Sequence, residues 1–323
     1  MEKIRAAVIG VGYLGRFHAQ KYAQAGDCEL LAVVDAREET RAAVGAELHT
    51  PALADHRSLL GAVDAVSVVT PTPAHFAIAR DFLEAGAHVL VEKPITETPA
   101  QARELVAVAA RAQRILQVGH LERFNAAILA AEPYLKSPNF VECHRMAPYR
   151  ERGTDVNVVL DLMIHDIDIV QTIVGAPITT IDAVGTPVFS DEIDIANARI
   201  RFANGCVANA TASRVSMKTE RKLRIFEDDA YLSLDLQQKI LTVIRKRAPA
   251  DTAGPLPVTI EEQSLEPGDA LKAEIDSFLS CIREGRPPVV PGEAGLTALE
   301  TAMRITEQVH RSLAERAARA GRH

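Results

Sequence analysis

The chain has no tryptophan, and aromatic residues make up only 4% of it. Its core must therefore be built mainly from Ala, Val, Leu and Ile, within a hydrophobic fraction of 47%. Cysteine is scarce as well. Cys28, Cys143, Cys206 and Cys281 lie far apart and show no C-x-x-C spacing. That pattern argues against a disulfide framework or a cysteine zinc site and suits free thiols in a reducing compartment. Positive charge is in deficit. A net charge of −7 speaks against non-specific binding to nucleic acid. No apolar run approaches the roughly 20 residues that a bilayer crossing needs. The first apolar run starts at Ile4, which leaves no room for a signal peptide, so the expected location is the cytoplasm. Low-complexity segments and internal repeats are also missing.

What is present begins at once. The apolar run Ile4–Ile9 leads into Gly10-Val11-Gly12-Tyr13-Leu14-Gly15, then a helix-like stretch, then Leu30–Val34, ending at Asp35. Strand, glycine turn, helix, strand and acid are the context that gives a G-x-G-x-x-G its meaning. Gly10 permits the tight turn, Gly12 lets backbone approach a pyrophosphate, and Gly15 lets the helix pack close to the strand. The anion would rest on free N–H groups at the helix N-terminus, Tyr13 and Leu14 included. Asp35 lies 20 residues beyond Gly15, where a carboxylate can hold both adenosine ribose hydroxyls. Its charge would repel a 2′-phosphate, so NAD is expected rather than NADP. Arg37 either stacks on adenine or stands in solvent.

Further strand–helix units follow. Asp64–Thr70, His88–Val91 and Arg114–Val118 read as strands, and Pro73–Ala85 and Pro99–Ala112 as helices. The alternation predicts an α/β chain whose first domain, residues 1–120, is a doubly wound parallel sheet of the Rossmann type. Residues 121–323 form the second, α+β domain. Its helices are expected over Leu121–Lys136, Val158–Val174, Asp269–Glu284 and Glu293–Ala314. Its strands are expected over Ile178–Val188, Ile193–Phe202, Cys206–Val215, Lys222–Phe226, Ala230–Leu236 and Ile240–Arg245, joined by short turns into an open, largely antiparallel sheet. With few helices to cover it, such a sheet would leave an apolar face bare, and a homo-oligomer, dimer or tetramer, would bury it.

Three clusters could carry chemistry. Thr70-Pro71-Thr72-Pro73-Ala74-His75 follows the third long strand, where loops line the ligand crevice, and its hydroxyls can reach a ribose. Thr72 ahead of Pro73 would equally serve as an N-cap. Glu92-Lys93-Pro94 ends the next strand. Lysine is rare there unless used or paired, and Lys93 could approach both the nicotinamide ribose and a substrate hydroxyl. The bland reading is an exposed Lys93 paired with Glu92. In Asp161-Leu162-Met163-Ile164-His165-Asp166-Ile167-Asp168, Asp161 and His165 share a helix face and Asp168 lies on the same side. A carboxylate beside a histidine raises its pKa and fixes its ring, as a general base near neutral pH requires. A metal or a surface salt bridge are the alternatives, and no further ligand cluster supports a metal. Together these are parts for oxidising an alcohol: His165 to take the proton, Asp161 to orient it, and Lys93 to stabilise the alkoxide or share the proton.

These residues, with Pro291-Gly292-Glu293-Ala294-Gly295-Leu296, resemble the glucose–fructose oxidoreductase/inositol dehydrogenase/MocA (Gfo/Idh/MocA) family, in order along most of the chain. The resemblance implies a Rossmann domain joined to an open antiparallel sheet that mediates dimers or tetramers. It also implies Lys93, Asp161 and His165 as the catalytic set, with Glu92 on the cofactor ribose. Leu162-Met163 depart from the pattern, since many members carry a glycine there. Gly119-His120-Leu121-Glu122-Arg123-Phe124-Asn125 resembles the segment of members that oxidise the 3-hydroxyl of UDP-N-acetylglucosamine. Their 3-keto product passes to a partner aminotransferase on the way to the diamino sugars of lipid A. That resemblance brings His120 and Arg123 to the substrate. Arg145, Arg150 and Arg152, just ahead of the Asp161 helix, add local positive charge that a diphosphate needs and a polyol does not. The alternative for them is a solvated basic loop. Two other readings stand beside this one: an inositol or simple-sugar dehydrogenase, and a non-catalytic nucleotide-binding regulator.

Overall fold

A computed structural model describes residues 2–150, 156–247 and 257–320. The chain runs β1 (Ile4–Ile9), α1 (Tyr13–Gln24), β2 (Cys28–Val34), α2 (Glu38–Leu48), β3 (Ala52–Leu53), β4 (Ala65–Val68), α3 (Thr72–Glu84), β5 (His88–Glu92), α4 (Pro99–Ala112) and β6 (Leu116–Gly119). It continues with α5 (Ala126–Ala131), β7 (Phe140–Met146), α6 (Ile164–Val174), β8 (Ile178–Thr186), β9 (Ile195–Phe202), β10 (Val207–Ser213) and β11 (Glu220–Phe226). The last elements are β12 (Ala230–Asp235), β13 (Ile240–Lys246), β14 (Val258–Ser264), α7 (Ala270–Glu284) and α8 (Gly292–Ala320).

Two compact units emerge, and a single cut at residue 120 does not separate them. The first comprises Met1–Phe124 and Asp269–Leu299, the second Asn125–Gly268 and Glu300–His323. Helix α7 explains the return. Its Leu271, Ile275, Phe278 and Leu279 are buried in one cluster with Ala19 and Tyr22 of α1 and Val8 of β1. Burying such side chains stabilises by about 1.5–3 kcal/mol each, so the helix belongs with the sheet it covers.

The first unit is the expected parallel sheet, in the order β3-β2-β1-β4-β5-β6. Every pairing in it is parallel. Both faces are covered, which is why Ala6 to Val8, Val66, Val89 and Val91 can all be fully buried. Local chemistry sets the helix ends. Thr98 accepts the Gln101 N–H while the Gln101 side chain accepts the Thr98 N–H, and Pro99 takes the first turn of α4.

His88, at the start of β5, gives this unit an acid-sensitive point. Its Nδ1 accepts a hydrogen bond from the Ile115 N–H at 3.0 Å. Burial, then the nearby Arg114 charge, push its pKa down to about 4, with Asp64 opposing. The unfolded chain takes up this proton near pH 6.5 and the folded one does not. Stability is therefore intact above pH 6.5 and drains as pH falls towards 4, by about 2 kcal/mol after discounting for the partly exposed ring. Urea denaturation at pH 7 and pH 4 should show a steeper loss for wild type than for His88→Gln. Equal slopes would remove His88 as the cause.

The second unit contains an eight-stranded sheet in the order β14-β13-β12-β11-β7-β10-β9-β8. All pairings are antiparallel except β7 with β10. Helix α5 packs on β12 and β13, and α6 on β7 and β10. The other face is not the bare apolar surface that the sequence suggested. Asn197 bonds Thr211 at 2.8 Å, Arg199 bonds Asn209 at 3.0 Å, and Arg224 pairs with Glu142 at 3.0 Å. Beside these polar ladders Phe140, Phe226 and Tyr231 form an aromatic strip, with the last two rings stacked at 4.7 Å.

The helix expected over Leu121–Lys136 is broken into a 3-10 turn at Leu121–Phe124, the short α5, and a second turn at Glu132–Tyr134. Asn125 causes the first break: its side chain caps α5 by accepting the Ala127 N–H and donates to the Leu236 carbonyl. Pro133 ends α5 in the same way that proline ends any helix.

Candidate active site

The glycine turn in the first unit is built as its spacing requires. Gly10 has φ +86°, and a Cβ there would stand 2.7 Å from the Val69 carbonyl oxygen. A Cβ on Gly15 would lie 1.8 Å from the Gly10 carbonyl oxygen. Gly12 differs: a Cβ there would meet only an Arg37 guanidinium nitrogen, at 3.7 Å. Gly10 and Gly15 therefore shape the turn, while Gly12 keeps space open above it. Helix α1 starts with no side-chain cap and no acid in its first turn, so its leading N–H groups are left for an anion. Tyr13 is 83% exposed, and Leu14 packs towards the core. Both can offer backbone rather than side chain.

Asp35 ends β2. One of its oxygens accepts the Val11 N–H at 3.1 Å and the other the Arg37 N–H at 2.9 Å. Each oxygen keeps a lone pair for a ribose hydroxyl. The Arg37 side chain is 71% exposed, with Nε 3.6 Å from Asp35. A cleft of about 770 Å³ opens here, lined by Gly12, Asp35, Arg37, His56, Thr70 and Ile78 among others. The Thr70 hydroxyl is buried in it with no hydrogen-bond partner among the described residues. An open approach over Gly12, an uncapped helix start, a fixed carboxylate and an orphaned hydroxyl fit an adenine dinucleotide, with Pro71 stiffening the far wall.

Two residues expected on the cofactor are held by partners within the protein. His75 is 1% exposed, with Nε2 2.7 Å from the Thr70 carbonyl oxygen and Nδ1 3.0 Å from that of Pro94. Burial pushes its pKa below the ordinary value, opposed by those carbonyls. It ties the Thr70 loop to the Lys93-Pro94 turn, whose peptide bond is cis, and Thr72 opens α3 with Pro73 in the first turn. Glu92 likewise faces inward. Its side chain is 12% exposed, Oε1 stands 3.2 Å from His18 Nε2, and Oε2 accepts the Lys93 N–H at 3.3 Å. Lys93 itself is half-buried at the end of β5, beyond the same sheet edge as the glycine turn.

In the second unit Asp161 and His165 are both half-buried. The single helix expected over Val158–Val174 is a π turn at Val159–Met163 running into α6. Asn157 caps it, its side-chain oxygen accepting the N–H groups of Val159 and Leu160 at 3.0 and 3.1 Å. Asp161 sits inside the wide turn and His165 just after it, and such turns recur at functional sites. Asp168 is buried at 2% exposure.

The arginines divide. Arg145 is not in a basic loop: it points inward from β7, 3% exposed, and forms a two-point ion pair with Asp166 at 3.0 and 2.8 Å. That pairing removes it from any diphosphate site. Arg150 is exposed, and Arg152 lies outside the described residues. In the first unit Arg123 donates to the Val289 carbonyl at 3.4 Å, and His120 is 1% exposed at the end of β6.

Two polar groups escaped the sequence reading. His18 of α1 and Glu274 of α7 are both fully buried. Each sits on the apolar face of an amphipathic helix, beside Gly15, Ala19 and Tyr22 in one case and Leu271, Ile275 and Phe278 in the other. A polar residue at a core position of a helix was the available signal.

The chain is also similar to known proteins. Residues 4–120 match the GFO_IDH_MocA family, described as an oxidoreductase family with an NAD-binding Rossmann fold. Residues 135–312 match its C-terminal alpha/beta domain. The UDP-N-acetylglucosamine 3-dehydrogenase of Acidithiobacillus ferrooxidans is 40% identical over 311 residues, covering 94% of this chain and 97% of that one. A solved structure of that enzyme superposes with a TM-score of 0.90, covering 96% of this chain and 98% of the other. The myo-inositol 2-dehydrogenase of Thermotoga maritima is 24% identical, covering 92% of this chain and 93% of its own.

Proposed function

Because the chain belongs to the Gfo/Idh/MocA oxidoreductase family, with its NAD-binding Rossmann domain, we propose that it oxidises the 3-hydroxyl of a nucleotide sugar, UDP-N-acetylglucosamine. The 40% identity to a UDP-N-acetylglucosamine 3-dehydrogenase, sustained from end to end, carries the substrate assignment. When bound, NAD supplies the hydride acceptor. His165 takes the hydroxyl proton, with Asp161 orienting its ring. Lys93 stabilises the developing alkoxide or shares the proton. Gly10, Gly12, Gly15, Asp35 and Thr70 hold the cofactor. Arg150 and Arg152, with His120 and Arg123, serve the diphosphate sugar; Arg145, committed to Asp166, does not. The 3-keto product is suited to transamination, and the outer face of the large sheet, with its aromatic strip, is the surface for a homo-oligomer.

A substrate panel tests the assignment. NADH absorbance is followed with UDP-N-acetylglucosamine, its uronic acid, myo-inositol and glucose. Turnover fastest on UDP-N-acetylglucosamine is expected. Preference for myo-inositol or glucose would move the protein among the simple-sugar enzymes, and no turnover on any would favour a regulator.

Cofactor choice has its own test. Asp35 is fixed by two backbone N–H groups at the edge of the cleft, so its charge faces whatever occupies the ribose 2′ position. Asp35→Ala should narrow the ratio of kcat/KM for NAD over NADP by about tenfold or more, as expected when one close like-charge contact is removed. A wild type that already prefers NADP would contradict the reading of Asp35.

A further inference from the structure

Beneath Lys93 lies a buried polar cluster that the reaction does not use directly. His18 of α1, Glu92 of β5 and Glu274 of α7 each bring one ligand-type atom within 4.8 Å of the others. The His18 ring leads inward through Nδ1 to the Ser67 hydroxyl at 3.2 Å, which meets the Tyr22 hydroxyl at 2.9 Å. Glu92 cannot retreat towards β6, since a Cβ on Gly119 would already be 2.7 Å from its Oε1. Both carboxyl oxygens of Glu274 are buried with no hydrogen-bond partner among the described residues.

Charge decides what this arrangement is. With both carboxylates ionised the cluster would be net negative even if His18 were protonated. Uncompensated charge in a buried site costs several kcal/mol, so one carboxyl must hold a proton. Glu92 has His18 and the Lys93 N–H as partners, whereas Glu274 has neither. The proton therefore belongs on Glu274. The pKa directions agree. Burial and then the Glu92 charge raise Glu274 well above the carboxylate range. Burial alone would raise Glu92 too, but its neighbours His18 and Lys93 hold it below.

We propose that Glu274 is a positioning residue for Lys93: a protonated carboxyl group, buried beside His18 and Glu92, that fixes the Glu92 carboxylate on the Lys93 backbone N–H. The proposal rests on the dehydrogenase reading of Lys93 only for its catalytic consequence; the proton on Glu274 stands apart from it. Ionising Glu274 would set a second negative charge against Glu92 and disturb the turn that carries Lys93. The other ionisable groups on elements packed against α7 are Tyr13, Arg16, Lys21 and Tyr22 of α1, and Glu122 and Arg123 of the turn after β6. Lys21 is committed to Asp269 at 2.6 Å and Arg16 to Glu47 at 2.7 Å.

Two measurements test this. The first is infrared spectroscopy of the full chain without ligand at pH 8. Wild type should show the carbonyl stretch of a protonated carboxyl group, and Glu274→Gln should lack it. Its absence from wild type overturns the proposal whatever the enzyme does. The second is steady-state kinetics. Glu274→Leu, which cannot donate, should lower kcat by about tenfold to a hundredfold and shift the pH–rate profile, with KM for NAD changed less than about twofold, as for a slightly misplaced catalytic group. Glu274→Gln, neutral and able to donate, should restore most of the loss. A Leu variant with wild-type kcat and profile makes Glu274 core filling only. Equal loss in the Gln and Leu variants, or stoichiometric divalent metal in the purified wild type, means the site needs an ionised Glu274 and overturns the proposal. If Glu274→Leu does not fold, the infrared band and the Gln variant still decide. Unchanged turnover in Lys93→Ala would instead defeat the dehydrogenase reading while leaving the infrared result intact.

Discussion

His165→Ala should lower kcat about 100-fold or more, the usual worth of a positioned general base, while NAD binding stays within about twofold of wild type. The split follows from where the groups are. The cleft proposed for the cofactor is lined by Gly12, Asp35, Arg37, Thr70 and their neighbours in the first unit. His165 stands in the second unit, one residue past the start of α6. Removing its imidazole leaves the glycine turn and Asp35 untouched. It removes the group proposed to accept the hydroxyl proton. NAD affinity is read by calorimetry, and turnover from NADH absorbance. A variant with wild-type turnover would take His165 out of the reaction. Parallel loss of NAD binding and turnover would mean that the residue supports the fold.

The second large effect is a contrast between two glycines. Gly15→Ala places a methyl group 1.8 Å from the Gly10 carbonyl oxygen, a backbone atom that cannot swing aside. Overpacking of this kind costs roughly 1–3 kcal/mol or more, and the displaced turn would no longer present its N–H groups. Stability and NAD affinity should fall together. Gly12→Ala meets only the flexible end of Arg37 at 3.7 Å, so its stability should stay within about 1 kcal/mol of wild type. The new methyl group nonetheless fills the space over the helix start, so NAD affinity should drop by about tenfold or more, as when an anion loses close backbone contact. Urea denaturation with NAD titration separates the two variants. Normal NAD binding by the Gly12→Ala enzyme would show that no pyrophosphate passes over that position.

Much of the first unit could be read from residue order because its signals are local. Thr98, Pro99 and Gln101 start α4 by bonding to their own neighbours, and the glycine turn announces itself by spacing alone. Strand β7 was hidden for the opposite reason. Its inward positions are Val141, Cys143 and Arg145, and an arginine in that series breaks the alternation that marks a half-buried strand. Only Asp166, brought up by α6, makes the buried arginine tolerable. Asp194 behaves alike. Burial would raise its pKa, but Arg214 and the N–H groups of Val188 and Phe189 hold it below the ordinary carboxylate range. Nothing near it in sequence names Arg214 as its partner.

Residue order by itself determined the parallel sheet, the dinucleotide turn with its acid, and the candidate set Lys93, Asp161 and His165. Each of these is announced by a local pattern: strand–helix alternation, glycine spacing, or the i, i+4 pair of Asp161 and His165. Tertiary packing decided which buried polar groups meet: Arg145 with Asp166, His75 with two carbonyls, and Glu92 with His18 beside Glu274. It also returned α7 to the first unit. The physical reason is that a buried charge is stable only with a partner, and folding can bring that partner from anywhere in the chain.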